Sequence, residues 1–284
     1  MQYQIPYGRN YNKMENKNLE IKKTPWQRYG WLAIVVLVIC FYVWAITGLT
    51  FSGIQDSAGE VSKSIIHGLF HPDWSYVYDG SGEDLVSLII QTLAIAFLGT
   101  IVSAILSIPF AFWAARSPKE RGQKIHPKST SGKFILVLIR TFPELVLAIM
   151  FIKAVGPGSF AGVLAVSIHS IGMLGKLFSE AIENMDRSAD EAIIAAGGSS
   201  ADVFTLATIP TIIPEFLSFT LYRFEIAVRS ASILGMVGAG GIGTPLLFAI
   251  QTRTWPRVGI ILLGIIIMVT AIDWLSGTLR KKLV

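Results

Sequence analysis

"VGAGGIG", residues 237–243, carries the spacing G-x-G-x-x-G at Gly238, Gly240 and Gly243. In a soluble α/β domain that spacing marks a dinucleotide-binding turn. It needs a strand before it, a helix after it and an acidic residue about 20 positions on. Here a long apolar run, residues 209–234, leads into the glycines, and Thr244-Pro245 follows where such a helix would begin. The next acid, Asp273, falls inside a further apolar run. No Walker A sequence, G-x-x-x-x-G-K-[ST], occurs elsewhere in the chain. The glycines therefore belong to a membrane protein that holds no nucleotide of its own.

Composition agrees. The 284 residues are 52% hydrophobic and 15% charged, against about 25% charged in an ordinary soluble domain. Six apolar runs have lengths that suit bilayer crossing as helix: residues 29–49, 85–114, 134–155, 161–178, 209–234 and 258–275. The fourth is short and contains His169. The expected class is thus all-α and polytopic, with about six transmembrane helices. The first run follows a long basic leader and lacks a clean small-x-small cleavage site, so an uncleaved anchor is expected. Cys40, the single cysteine, lies inside that run, which removes disulfide frameworks and thiolate metal sites from consideration. Nothing in the chain has metal-ligand spacing or pairs a nucleophile with a base, so no catalytic residue and no metal are expected.

Orientation is read from lysine and arginine. Residues 1–28 carry Arg9, Lys13, Lys17, Lys22, Lys23 and Arg28; the loop after the second run carries Arg116, Lys119, Arg121, Lys124, Lys128 and Lys133; the tail ends Arg280, Lys281, Lys282. With six spans these regions share one side, the cytoplasm, and both termini lie there. The segment 50–84 has one base, Lys63, against Asp56, Glu60, Asp73, Asp79, Glu83 and Asp84, and is expected outside. The net charge of +5 thus reflects topology and gives no reason to expect a nucleic-acid partner. The expected organisation is a cytoplasmic segment 1–28, a first span 29–49, an external segment 50–84, a core 85–280 and a tail 281–284.

Between the fourth and fifth runs lies "DEAIIAAGGSSADVFTLATIPTIIPEF", residues 190–216, the least apolar internal stretch on the cytoplasmic side. A helix over 186–196 would stop at Gly197-Gly198, a second short helix would be capped by Ser199-Ser200, and Pro210 would open the next span. This stretch resembles the EAA loop of ABC importer permeases, E-A-A-x-x-x-G followed after nine residues by I-x-L-P. Glu191, Ala192, Gly197 and Pro210 fall on that pattern; Ile193, Ala207 and Ile209 depart from it. The resemblance implies a coupling helix, with Gly198 completing its bend, that seats in a groove of an ATPase subunit.

"RTFPELVLAIMF" (140–151), "GPGSFAGVLAVSIHSIGMLGKLFSEAIENMD" (156–186), "YRFEIAVRSASILGMVGAGGIG" (222–243) and "HPDWSYVY" (71–78) are similar to the phosphonate-type permeases. That resemblance covers most of the chain from residue 70 onward. It implies the type I ABC importer permease fold and the membrane subunit of an ATP-driven importer of phosphonate, phosphite or phosphate. The implied assembly is a permease homodimer in the inner membrane of a prokaryote, with two ATPase subunits and an external solute-binding protein. ATP and magnesium would sit on the ATPase, no cofactor on this chain.

Ionisable residues within spans are expensive and so mark candidate sites. Glu225 and Arg229 are four apart with the acid first, which predicts an ion pair on one helical face. Arg223 points elsewhere, about 20 Å along the helix from Pro210, where it could face a path for oxyanions. Arg140 and Glu144 share the four-residue spacing and predict an interfacial pair near the cytoplasmic end of the third span, with a helix start or kink at Pro143. His169, between Ser167 and Ser170, is a further pathway candidate, and Lys153 is expected to snorkel outward. Gly238, Gly240, Gly241 and Gly243 suit an external gate, because glycine permits close backbone approach or sharp bends. Three rival readings are a methionine or sulfonate importer, a proton-coupled carrier using Glu225 or His169, and an integral-membrane phosphatase or transferase acting on lipid phosphates. The first lacks the phosphonate-like stretches, the second leaves the EAA-like loop unexplained, and the third wants a convergent polar cluster not evident here.

Overall fold

The computed structural model describes residues 25–48, 58–116 and 127–283. The rest of the expected segment 1–28, residues 49–57 with Asp56, and the loop bases Lys119, Arg121 and Lys124 lie outside the described residues. All regular structure among the described residues is helical.

Helix α1 (Pro25–Thr47) belongs to one compact unit of the chain. Its side chains are apolar on every face from Trp31 to Ile46, as a single crossing of hydrocarbon requires. Thr47 ends it by donating its hydroxyl back to the Val43 carbonyl at 3.0 Å.

The second unit contains the remaining helices. They are α2 (Ala58–Phe70), α3 (Leu85–Ala114), α4 (Pro127–Thr141), α5 (Glu144–Val155), α6 (Ser159–Asn184), α7 (Ser188–Ala195), α8 (Ser200–Val203), α9 (Ile209–Leu234), α10 (Gly243–Gln251) and α11 (Trp255–Leu283). Helix α6 is the organiser. Expected as a short run over 161–178, it is a 26-residue helix and the most buried of the five unbroken candidate spans. Its small residues meet those of α3, whose buried stripe runs Ala96, Gly99, Thr100, Ser103, Ser107 and Ala111. A Cβ on Gly99 would stand 2.7 Å from Val166 Cγ1. Between spans, where lipid tails remove much of the hydrophobic drive, such close approach gains dispersion energy instead. On the opposite flank Gly172 and Gly175 admit α4, with a Gly172 Cβ only 2.7 Å from the Arg140 backbone nitrogen.

The expected start of the third span is corrected and its break is borne out. Expected over 134–155 with a helix start or kink at Pro143, it starts at Pro127 and breaks at Pro143 into α4 and α5, which meet at 77°. Pro143 lacks the N–H needed to continue the ladder, and its ring disfavours helical backbone at Phe142. The second correction concerns Thr244-Pro245. A nine-residue helix does begin there, α10, because proline in a first turn forfeits only an N–H that has no helical acceptor.

Candidate functional site

Three levels of the second unit carry the candidate residues. At the α7 end, the two short helices are built as their sequence predicts, with α7 running Ser188–Ala195 inside the expected 186–196. Gly197 adopts a left-handed φ of +84°. Its N–H donates to the Ile194 carbonyl (3.0 Å) and that of Gly198 to the Ile193 carbonyl (2.9 Å), the paired Schellman closure. Ser199 then starts α8 with a reciprocal cap. Its backbone N–H donates to Asp202 Oδ2 at 2.8 Å, and its hydroxyl accepts from the Asp202 N–H at 3.3 Å. The hydroxyl also donates to Asp202 Oδ2 at 2.7 Å, and this bond, followed by the backbone one, holds the Asp202 carboxyl below its usual range. A wide π-type turn, Phe204–Thr208, joins α8 to α9, and Pro210 sits in the first turn of α9 as expected.

Glu191, Ala192, Ile194, Ala196 and Gly197 are exposed along this loop. Asp190 is buried instead, and reading the sequence did not single it out. It accepts from Arg187 Nη1 at 2.8 Å, while Arg187 Nη2 donates to the Ile182 carbonyl in α6 at 3.0 Å. Its other oxygen accepts from Thr208 Oγ1, at the head of α9, at 3.5 Å. One carboxylate thus ties α7 to both long helices. The available signal was an acid directly before the exposed Glu191, three residues after an arginine.

The second level lies at mid-helix. Gly172, opposite Arg140, is about 20 Å from one end of α6 and about 18 Å from the other. Arg223 is at this depth and is 2% exposed. Its Nε donates to Ser170 Oγ at 2.7 Å, and Nη2 meets Glu144 Oε2 at 3.4 Å. Arg140 is exposed and has no ion-pair partner among the described residues. The expected Arg140–Glu144 pair is therefore replaced by Arg223–Glu144. The break at Pro143 turns Glu144 away from the helix that carries Arg140, and Arg140 sits in the last turn of α4, at the mid-depth break and not at an outer end of the span. Glu144 Oε1 is buried with no partner. The break also frees the Phe142 carbonyl, and His169 Nδ1 donates to it at 3.1 Å. Arg229 and Glu225 form their pair at 2.7 Å. They extend it into a net the sequence did not suggest: Arg229 also meets Asp273 (2.8 Å), and Arg280 meets Glu225 (2.7 Å), both from α11. Lys153 is exposed in the last turn of α5.

The third level is the glycine segment. Gly238, Gly240 and Gly241 have φ of +96°, +80° and +81°. The segment is wedged between helix ends, not loosely hung. Gly241 N–H donates to Gln91 Oε1 (3.1 Å), Ile242 N–H to Thr92 Oγ1 (2.9 Å), and Gly158 N–H to the Gly238 carbonyl (2.9 Å). Above it opens a cleft of about 690 Å³ reaching Asp79, Glu83, Gln91, Thr244 and Arg257. Arg257 stacks on the Tyr76 ring at 4.5 Å, and burial pushes the Tyr76 hydroxyl pKa up.

Comparison with known proteins agrees with this architecture. The chain is 37% identical over 264 residues, 90% of each protein, to the phosphite transport system permease protein PtxC of Stutzerimonas stutzeri. It is 37% identical over 207 residues to the phosphate-import permease protein PhnE of Mycolicibacterium smegmatis, covering 73% of this chain and 38% of that relative. Among solved structures, a chain from inward-facing conformations of the MetNI methionine ABC transporter superposes with a TM-score of 0.58. At 18% identity it covers 70% of this chain and 96% of its own length, a likeness of fold. Residues 107–284 match the family described as binding-protein-dependent transport system inner membrane component, and with that span matched this chain belongs to that family.

Proposed function

We propose that this chain is the permease subunit of an ATP-driven importer that moves a small phosphorus oxyanion, phosphite, phosphonate or phosphate, across the inner membrane. The observation that carries the reading is the Asp190 tie. An exposed two-turn helix, fixed at once to α6 and α9, can deliver an external push to two spanning helices together. The names of the relatives support the anion class, and the lysine and arginine distribution supports a cytoplasmic α7 end with both termini on that side.

In this reading two copies of the permease pair about the pathway. Two ATPase subunits hold ATP and magnesium and grip the loop around Glu191 to Gly197. An external binding protein delivers the anion above the glycine segment, where Asp79 and Glu83 disfavour capture of free anions from bulk. Closure of the ATPases moves α7 and reorients the core from inward-facing to outward-facing; hydrolysis resets it. Arg140, a mid-depth guanidinium without a carboxylate partner, is the group best placed to meet an oxyanion bidentately. Arg223, already held by Glu144 and Ser170, braces the broken helix against α6 and α9.

The test is ATP hydrolysis by the complex in liposomes, with binding protein loaded with phosphite, phosphonate or phosphate. Stimulation by loaded protein is expected in the native complex and lost in Glu191→Lys, with the thermal unfolding midpoint unchanged. Uptake in liposomes without ATP would overturn the reading in favour of a proton-coupled carrier.

A further inference from the structure

At the α7 end, α3, α4 and α6 enclose a cleft of about 200 Å³ that shares only Arg187 with the coupling tie described above. Three cations reach it: Arg116 just beyond α3, Lys128 in the first turn of α4, and Arg187 just beyond α6. Phe112 and Ile182 supply apolar wall. Two polar atoms at this cleft are buried without any hydrogen-bond partner, Arg116 Nε and Ser129 Oγ. Ser129 is 1% exposed. A buried donor left unmet is destabilising, so two at one cleft point to a missing acceptor.

The surrounding charges favour an anion as that acceptor. The first turn of α4 contains no acid, and its unpaired backbone N–H groups add positive potential. Arg187 is the one cation of the three with a carboxylate partner among the described residues, Asp190 at 2.8 Å. The nearest other acid, Glu183, is engaged by Lys133 Nζ at 2.7 Å and by the Arg116 backbone N–H at 2.9 Å. Lys128 and the Arg116 side chain are left to set the sign of the cleft.

We infer that this cleft binds a phosphate-type oxyanion, with Arg116 Nε and Ser129 Oγ as donors and Lys128 and Arg187 as counter-charges. The chemistry is shared by two sources, a free phosphate ion and the phosphodiester headgroup of an anionic lipid. Occupancy bears on coupling. An anion drawn to Arg187 competes with Asp190, the carboxylate that ties α7 to α6 and α9. This consequence rests on the proposed transport role, whereas the binding site itself does not.

The experiment uses the full chain with its ATPase partner in phosphatidylcholine nanodiscs, without ATP, and follows the thermal unfolding midpoint. Inorganic phosphate is titrated in one arm; phosphatidylglycerol replaces phosphatidylcholine stepwise in the other. A ligand that binds only the folded state raises the midpoint saturably. A rise with phosphate assigns a free oxyanion. A rise with phosphatidylglycerol alone assigns a lipid headgroup. In either case Arg116→Gln and Ser129→Ala are expected to weaken binding about tenfold, the size of one charge-assisted hydrogen bond. Ser129→Ala removes a single hydroxyl and serves if Arg116→Gln does not fold. No rise in the native complex with either probe, or a rise undiminished in the variants, overturns the site. Because binding is read without ATP, failure of ATP-driven uptake would leave this result standing, and the reverse holds too.

Discussion

Two glycine clusters in this chain look alike as sequence and do opposite work. At Gly197 nothing lies within 4 Å of where a side chain would begin, and glycine is there for its left-handed φ of +84°. In the segment from Gly235 to Gly243 space decides at Gly235 and Gly243, while Gly238, Gly240 and Gly241 also need their positive φ. A Cβ on Gly243 would strike the Ser232 carbonyl, and one on Gly235 would stand 2.7 Å from the Gly240 carbonyl. Gly197 thus shapes a free surface, although its neighbour Gly198 is crowded by Ile193, whereas Gly235 and Gly243 fill a packed one. A glycine chosen for conformation leaves its surroundings open to a partner. A glycine chosen for volume ties its surroundings together.

The contrast yields measurements that can break it. Its packed side extends to the mid-depth brace, where the largest effect is expected. Glu144→Ala strands the Arg223 charge in the interior, and loss of one partner of a buried pair costs about 3–5 kcal/mol. Thermal unfolding of the purified permease should register it, with Arg223→Met/Glu144→Leu recovering most of the loss. Gly243→Ala comes next, at about 3 kcal/mol, since backbone atoms must yield to the new methyl. Gly197→Ala should cost only about 1 kcal/mol, the strain of a left-handed backbone with open space around it. If the two glycine variants destabilise equally, the contrast fails.

The smallest effect is in pH. Asp202 has its pKa lowered from 3.8, mainly by the Ser199 hydrogen bonds. A depressed folded-state pKa contributes stability that is present above the unfolded value and lost as pH falls through the folded one. The α8 cap should therefore loosen only below about pH 4. Amide exchange across 199–203 should quicken there, and Asp202→Asn should abolish the dependence.

Much of this was readable in advance where a local signal sufficed. The spans follow from runs of apolar residues, and the α7–α8 loop follows from Gly197-Gly198 and Ser199, because stops and caps are set within a few residues. The ion pair of Glu225 with Arg229 was legible for the same reason, as an i,i+4 spacing. Partners chosen by tertiary packing were not. Arg140 and Glu144 satisfy the same spacing, yet Pro143 bends the chain between them, and Glu144 meets Arg223 from a helix 79 residues away in sequence. Asp273 and Arg280 lie seven apart on one face of α11, but nothing local says that α9 opposes them. Asp190 was hidden by its neighbour Glu191, which carries the recognisable motif.

The junction at Phe142 has one further property. Its carbonyl is held by the Nδ1 proton of His169. A proline break in a span leaves a backbone acceptor without its helical donor, and here a side chain of α6 takes that donor's place. The hydrogen bond that closes the bend therefore belongs to a neighbouring helix, so the bend's direction is fixed by where α6 stands and not by the broken helix alone.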